Sequence, residues 1–183
     1  IEGLDYSAFH HKGKFFVVHN ENAKNFKLST VSVNDPGKEN WVDVLPHRDD
    51  VLVEYVDTFE NYLVVHERTG GLKQIRISDT DGVSNVRYVQ FPEAAYSVYA
   101  EGNSQFETNL LRLKYSSLIT PYTTVDVHMD TGEWEAKKVD VIPSGFDKSK
   151  YALERIHATA SDGTKVPMTI AYRKDMNKKD GSN

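Results

Sequence analysis

The histidines of this chain are its best candidates for acid–base chemistry or metal binding, but their spacing favours neither. His10 and His11 are adjacent at the end of an expected strand, so their side chains should point to opposite faces. His19 and His66 occupy equivalent positions in a repeat, which favours a structural role. Two further histidines stand alone in expected strands: His128 and His157. Zinc ligands usually form a short local pair with a distant second pair, so we predict no metal-binding residue and no cofactor.

A serine nucleophile on an α/β-hydrolase sheet needs the Gly-x-Ser-x-Gly elbow, because only small neighbours permit its strained strand-to-helix turn. The nearest match surrounds Ser104, where Phe106 occupies the position that requires a small residue. We therefore interpret Ser104 as a loop residue and predict no catalytic residue in the chain. Phosphate-binding glycine loops, EF-hand loops and His-Glu-x-x-His are also absent from the sequence.

Two other groups of polar or aromatic residues have a structural interpretation. The acidic pairs lie in turn-like sequence, where Asp bonds its own backbone: Asp49 with Asp50, and Asp79 with Asp81. Four aromatic residues are expected in core packing and blade contacts: Trp41, Tyr96, Tyr99 and Trp134. A ligand-binding platform built from these rings is the alternative, although their spacing does not select it.

A repeat of 47 residues positions these side chains. Val17-Val18-His19 returns as Val64-Val65-His66, and Leu111-Arg112-Leu113 follows at the same interval. Each repeat closes with a glycine-containing turn, at residues 34–37, 79–82 and 129–132. A period of about 40 to 50 residues with four strands per unit is typical of β-propeller blades.

The strand pattern predicts an all-β fold, with about three four-stranded β-propeller blades followed by a β-hairpin. The expected strands are residues 6–9, 14–19, 26–33 and 41–45, then 51–56, 62–67, 72–77 and 86–91, then 96–100, 110–115, 123–129 and 135–141, and in the hairpin 152–160 and 165–172. In the third repeat, Val125, Val127 and Met129 should face the core, while Asp126, His128 and Asp130 should face outward. Residues 147–153 could form one helical turn at most.

The composition narrows the possible partners. The chain has 183 residues, 39% of them hydrophobic, and a net charge of -5. Nucleic acids and anionic membranes favour basic surfaces, and no apolar run approaches the roughly 20 residues that cross a bilayer. We therefore expect a soluble protein with no nucleic-acid or membrane partner. The absence of cysteine is compatible with a reducing compartment, and we expect a cytoplasmic location.

A change of composition after Pro143 predicts three regions. Residues 1–143 should form the partial β-propeller, 144–150 an interdomain linker, and 151–183 the first strands of a second domain, with Asp162-Gly163 as the hairpin turn. A lone two-stranded hairpin is marginal in water, so it should join a larger sheet. Ile1 and the polar ending at residues 178–183 suggest a piece of a longer protein.

Several motifs resemble the prolyl oligopeptidase family of serine peptidases, and within it the oligopeptidase B branch. They are LRLKYSSLITP at residues 111–121, DTGE at 130–133 and ATASDGTKVP at 158–167, with NFKL at 25–28, LVVHER at 63–68 and AYRK at 171–174. The likeness is dense over residues 106–183 and looser before them.

The resemblance implies a seven-bladed propeller that covers the active site of an α/β-hydrolase domain and restricts access to short peptides. The hairpin would supply the opening strands of that domain, so the chain would end with the beginning of an α/β-hydrolase fold. The family's catalytic Ser, Asp and His have no matching positions here, so the fragment alone should be inactive. The branch implies cleavage after Arg or Lys, with cleavage after Pro as the alternative.

Two expectations concern partners. In the full-length enzyme the partners would be short peptide substrates and the catalytic domain, whereas a non-enzymatic binding or scaffolding propeller is the alternative from another class. Three blades cannot close a ring, so the chain alone should expose apolar faces and self-associate.

Overall fold

Short alternating segments separated by turns build fourteen strands in four antiparallel sheets over residues 3–177, which the computed structural model describes. The first sheet has the order β1 (Tyr6–His11), β2 (Lys14–His19), β3 (Lys27–Ser32) and β4 (Val42–Leu45). A 3-10 turn at Lys38–Asn40 precedes β4. This turn was not predicted, since three residues leave no helical period in the sequence.

The second sheet repeats this order with β5 (Val51–Thr58), β6 (Tyr62–Thr69), β7 (Leu72–Asp79) and β8 (Arg87–Tyr88). The register between β5 and β6 shifts between Val53 and Tyr55, so Glu54 is the extra residue of a bulge. Glu54 pairs with Arg68 at 2.8 Å and with Lys73 at 3.3 Å. The β8 strand is shorter than the predicted 86–91, although the Val89 amide still donates to the Ile75 carbonyl in the register of the β7–β8 pair.

The third sheet contains β9 (Ser97–Ala100), β10 (Leu110–Ser117), β11 (Thr120–His128) and β12 (Trp134–Val139), in the order β12-β11-β10-β9. Val125, Val127 and Met129 are fully buried, as predicted. The prediction that Asp126 faces outward is wrong, because Asp126 is buried, with only 4% of its surface exposed. Its carboxylate accepts two hydrogen bonds from Arg112, at 2.7 and 2.8 Å, and this pairing stabilises the buried charge.

The hairpin consists of β13 (Tyr151–Thr159) and β14 (Lys165–Arg173), which pair in register along their whole length. Hydrogen-bonded and non-hydrogen-bonded residue pairs alternate along an antiparallel hairpin. The alternation is fixed here by two bonds at the hairpin ends, from the Ala160 amide to the Thr164 carbonyl and from the Lys174 amide to the Lys150 carbonyl. By that alternation Pro167, opposite His157, turns its nitrogen away from β13. Proline is therefore tolerated here, because no bond within the hairpin needs its missing N–H.

Apolar residues of the first two sheets form one core cluster: Phe16, Val18, Leu28, Leu45, Val53, Val56, Leu63 and Val65. A bond from the Val53 amide to the Asn25 carbonyl and one from the Thr58 hydroxyl to the His10 carbonyl join these sheets at their edges. The packing of these β-branched and aromatic side chains, rather than any single bond, holds the two sheets together.

The described part of the chain separates into two compact units. The first contains the first two sheets with Gly102–Leu111 and Val127–Glu133, and the second contains Phe91–Glu101, Arg112–Asp126 and the residues from Trp134 onward. Within residues 3–177, no helix has the length and apolar character to span a membrane.

Candidate functional site

His19 belongs to a chain of polar groups inside the first sheet. Its Nε2 lies 2.8 Å from the Ser29 hydroxyl, and that hydroxyl lies 2.8 Å from Asp43 Oδ1. The other carboxylate oxygen of Asp43, Oδ2, pairs with Lys27 at 2.9 Å. His19 Nδ1 accepts a bond from the Glu21 amide at 3.3 Å, so Nε2 carries the proton and donates to Ser29.

This polar chain has the residue types of a serine hydrolase but not its geometry. In a catalytic triad the histidine accepts the serine proton, whereas here Ser29 donates to Asp43 and accepts from His19. Ser29 and His19 are 0% and 1% exposed, so no substrate reaches them. Burial, the largest cause, lowers the pKa of His19 below 6.5, and the charge of Lys27 acts in the same direction. The group is structural.

His66 is the repeat equivalent of His19 and is also 1% exposed. Its Nε2 lies 2.8 Å from Asp57 Oδ2, and its ring stacks on Tyr55 with centroids 3.9 Å apart. Both histidines lie on the second strand of their sheet and are buried, in agreement with the structural role predicted from their repeat equivalence. In the third repeat the equivalent residue is Leu113, which is fully buried, so this position requires bulk rather than imidazole chemistry.

Glu67 is a fully buried carboxylate that the sequence reasoning missed. Arg48 pairs with its Oε1 at 2.5 Å, and the Tyr88 hydroxyl donates to its Oε2 at 3.2 Å. Burial of Arg48 opposes its charge, but the hydrogen bond and negative charge of Glu67 raise the pKa of Arg48 overall. The available signal was the apolar run of residues 63–65 just before Glu67 in an expected strand, since a charged residue that is buried there must have a partner.

The other predicted candidates remain apart. His11 is 3% exposed and packs against Phe106 with ring centroids 5.6 Å apart, while His10 is exposed. Ser104, His128 and His157 are all exposed and lie far from one another in the chain. Among residues 3–177, no group of three His, Cys, Asp or Glu side chains converges to hold a metal ion.

The acidic pairs behave as turn residues. Asp81 accepts bonds from the Val83 and Ser84 amides at 2.9 and 2.8 Å and from the Ser84 hydroxyl at 2.5 Å. The Ser84 hydroxyl is the largest cause that lowers the pKa of Asp81 to about 2. Asp79 accepts a bond from Asn85 at 2.9 Å. These carboxylates organise the turn between β7 and β8 rather than a ligand site.

Rings of the second unit form an aromatic cluster centred on Tyr115, which is 1% exposed. Phe91 stacks on Tyr115 with centroids 5.0 Å apart, and Tyr96 and Trp134 lie at 5.8 and 6.2 Å. Tyr96 and Trp134 make the packing contacts that we expected, although both are only partly buried. Tyr99 differs, since it is 48% exposed.

The residues that follow the third sheet carry the feature with the clearest functional meaning. Cross-strand pairing puts Ile156 and Met168 opposite each other, with Val166 and Ile170 on the same face of the hairpin. All four are between 38% and 44% exposed. Among the described residues, nothing covers this apolar face, so the hairpin has the side chains of a sheet interior without the layers that would bury them.

Comparison with known proteins assigns the fold to a family. Residues 1–140 match the family described as "Prolyl oligopeptidase, N-terminal beta-propeller domain". The chain belongs to the prolyl oligopeptidase family. The three four-stranded sheets of this prolyl oligopeptidase family member are therefore β-propeller blades, which confirms the predicted blade architecture.

Relatives and solved structures agree with this assignment. The chain is 39% identical over 175 residues to dipeptidyl aminopeptidase BI of Pseudoxanthomonas mexicana, covering 94% of this chain and 24% of that protein. It is 29% identical over 171 residues to protease 2 of Moraxella lacunata, covering 93% and 24%. The chain thus spans about a quarter of the length of these relatives.

Two oligopeptidase B structures superpose closely on the chain. The enzyme from Trypanosoma brucei, in a closed form with covalently bound antipain, gives a TM-score of 0.84 at 26% identity, covering 98% of this chain and 26% of that one. The enzyme from Leishmania major gives 0.84 at 32% identity, covering 97% and 26%. Only 2% and 3% of this chain lie outside the two superpositions. Residues 141–183 are a larger part of the chain than that, so the match extends beyond the blades into the hairpin.

Proposed function

We propose that this chain is the late part of the propeller and the first strands of the α/β-hydrolase domain of a serine oligopeptidase. Residues 1–143 are the partial propeller, 144–150 the interdomain linker and 151–183 the start of the catalytic domain. The observation that carries the proposal is the exposed apolar face of the β13–β14 hairpin, which directly follows a propeller blade. A free-standing binding or scaffolding propeller, the alternative, would not need such a hairpin.

The reaction is acyl transfer to water by residues outside this chain. A serine hydroxyl, whose proton passes to a histidine, attacks the peptide carbonyl, while backbone N–H groups stabilise the oxyanion. The histidine then protonates the leaving amine, and water hydrolyses the acyl-enzyme. The blades of this chain contribute a cover that limits access to short peptides, and lids of this kind commonly gate turnover.

Cleavage after Arg or Lys is the specificity that we propose. Its support is the similarity to two oligopeptidases B at 26% and 32% identity. The relative that is 39% identical is named a dipeptidyl aminopeptidase, and this observation favours release of N-terminal dipeptides as a second candidate. Cleavage after Pro is the third.

The three candidate specificities can be distinguished by measuring how the full-length protein that contains this chain hydrolyses different amide substrates. N-terminally blocked Arg and Pro substrates and an unblocked dipeptide substrate should be compared, with and without a covalent serine-hydrolase inhibitor. We expect the blocked Arg substrate to have the highest kcat/KM, by about tenfold or more, and the inhibitor to abolish turnover. Preference for the unblocked dipeptide would replace our specificity, and no inhibitor-sensitive hydrolysis at all would favour the scaffold.

The 183-residue chain alone provides the matched control. It should hydrolyse none of these substrates, because we assign every catalytic group to other polypeptide. Hydrolysis by the isolated chain would contradict that assignment.

A further inference from the structure

Glu93 is a buried carboxylate in the loop between β8 and β9, within the second unit. Its side chain is only 5% exposed. One oxygen, Oε1, accepts a 2.6 Å bond from the Thr120 hydroxyl at the start of β11 and pairs with the ammonium group of Lys148. The other oxygen, Oε2, is buried and has no hydrogen-bond partner among residues 3–177. Lys148 is therefore the main compensation for a charge that burial makes costly.

Lys148 begins the 3-10 turn Lys148–Lys150 of the segment that follows the third sheet. The turn is capped by Asp147, whose Oδ1 accepts bonds from the Ser149 amide at 3.0 Å and the Ser149 hydroxyl at 2.6 Å. Lys174 donates to the Ser149 carbonyl at 2.8 Å. The turn is thus internally ordered and bonded to the hairpin end, and Lys148 is the side chain that connects it to the blade.

An electrostatic influence on the same loop is consistent with this arrangement. Burial raises the pKa of Tyr96, three residues after Glu93, and the positive charge of Arg155 on β13 acts in the opposite direction. The loop between β8 and β9 therefore contacts the segment through Glu93, and the charge of Arg155 on the hairpin acts on Tyr96 of the same loop. Such a loop is suited to set where the segment leaves the blade.

We propose that Glu93 anchors residues 144–150 to the last blade through Lys148, and that breaking this ion pair eases the domain separation by which longer peptides enter. The second part rests on the proposed function, in which 144–150 joins the two domains. The first part concerns only this chain's own contacts. Glu93 is a positioning residue, since it touches no substrate.

Amide hydrogen exchange of residues 144–150 in the full-length protein tests the anchor. Lys148→Met leaves Glu93 buried without a cation, so exchange should accelerate by about tenfold. Glu93→Gln keeps the shape and an acceptor for Thr120, so its effect should be smaller. The double variant should resemble Glu93→Gln rather than exceed Lys148→Met, because the neutral amide introduced by Glu93→Gln no longer needs the ammonium group.

Two further variants keep the test decisive. Lys150→Met alters the same turn, but its side chain is 64% exposed and its carboxylate partner Asp147 is 3.9 Å away, so exchange should not change. Thr120→Val replaces Glu93→Gln in the test if the Glu93 variant folds poorly. It removes only one hydroxyl bond to Glu93, so the exchange rate of residues 144–150 should rise less than in Lys148→Met. Additive effects of Glu93→Gln and Lys148→Met, or effects no larger than that of Lys150→Met, would overturn the anchor.

Peptide length tests the consequence for access. In Lys148→Met, the kcat/KM of a peptide of about 20 residues should rise relative to that of a small amide substrate by about threefold or more. An unchanged ratio in an active enzyme would overturn the link to domain separation. If the wild-type protein hydrolyses neither substrate, the proposed function fails, whereas the exchange measurements still decide whether Glu93 anchors the segment.

Discussion

Three buried polar residues of this chain are compensated by different partners. Glu67 has a guanidinium and a phenol, Asp126 has a bidentate guanidinium, and His19 remains neutral between a hydroxyl and an amide. A buried polar group without a partner is costly, so each of these partners offsets the cost of burying a carboxylate or an imidazole.

The neutral state of His19 predicts a pH dependence of stability. Because burial lowers the pKa of His19 below 6.5 in the folded chain, the unfolded chain binds the proton first as the pH falls. The contribution of His19 is thus complete above about pH 6.5 and is lost between that value and the lower folded pKa. His19→Gln, which cannot titrate, should lose less stability between about pH 7.5 and pH 5 in urea unfolding.

A matched control separates burial from the mere presence of a histidine. His157 is exposed on β13, so His157→Gln should retain the full wild-type loss of stability. Burial also lowers the pKa of His11, so His19→Gln should reduce the loss without abolishing it. Equal losses in His19→Gln and wild type would contradict the assignment of the effect to His19.

The pairing of individual residues was only partly predictable. The structural role of His19 and His66 followed from the repeat, because equivalent positions share an environment. The partners of Glu67 and Glu93 did not, since Arg48 is 19 residues from the first and Lys148 is 55 residues from the second. Such pairs form only when the chain folds back on itself, and no local spacing records them.

At the level of elements, the blade turns differ in how they use glycine. Gly82 and Gly132 have φ values of +81° and +77°, in the left-handed region that other residues rarely adopt. Gly37, in the corresponding turn of the first blade, has a φ of -53° and precedes the 3-10 turn instead. Only the second and third turns therefore depend on glycine for their backbone conformation.

Alanine substitutions at three turn glycines should follow this difference. Gly82→Ala should cost the most, about 2 to 4 kcal/mol, because a Cβ there would lie 2.3 Å from Val44 Cγ1 in addition to the backbone strain. Gly132→Ala should cost about 1 to 2 kcal/mol, since its nearest neighbour, Arg87, is 3.8 Å away. Gly13→Ala, with open space and no positive φ, should be nearly neutral. Thermal unfolding of the three variants measures the order, and equal costs at positions 82 and 132 would refute the steric argument.

Element type was the part of the fold that the sequence predicted best. All fourteen strands were predicted, because period-two alternation and glycine or Asp turns act locally. The predicted strand lengths were less accurate, as the short β8 shows, since the length of a strand depends on how far it pairs with the neighbouring strand. The extra residue Glu54 in β5 was missed for the same reason, because a bulge exists only relative to a partner strand.

At the level of the whole molecule, self-association of the 183-residue chain remains a prediction. A groove of about 410 Å³ on the first blade is lined by apolar side chains, with Tyr6 56% exposed beside Phe15, Val17 and Trp41. We expect association between copies of the chain to cover this groove. We expect sedimentation velocity to show concentration-dependent association.

A charge in this groove should weaken the association. Ala8→Glu introduces a carboxylate among the groove residues, and we expect the association constant to fall by about tenfold or more. Val83→Glu, at an exposed site on the turn between β7 and β8, should leave it unchanged. A monomeric wild-type chain at high concentration, or equal effects of both variants, would contradict the prediction.

The two tryptophans have a practical consequence for following how this chain folds. Trp41 packs against His19 with ring centroids 4.7 Å apart in the first blade, while Trp134 lies in the aromatic cluster of the third. The second blade has no tryptophan of its own. Intrinsic fluorescence therefore contains two separate emitters, and replacing either indole by phenylalanine would leave an optical reporter for a single blade.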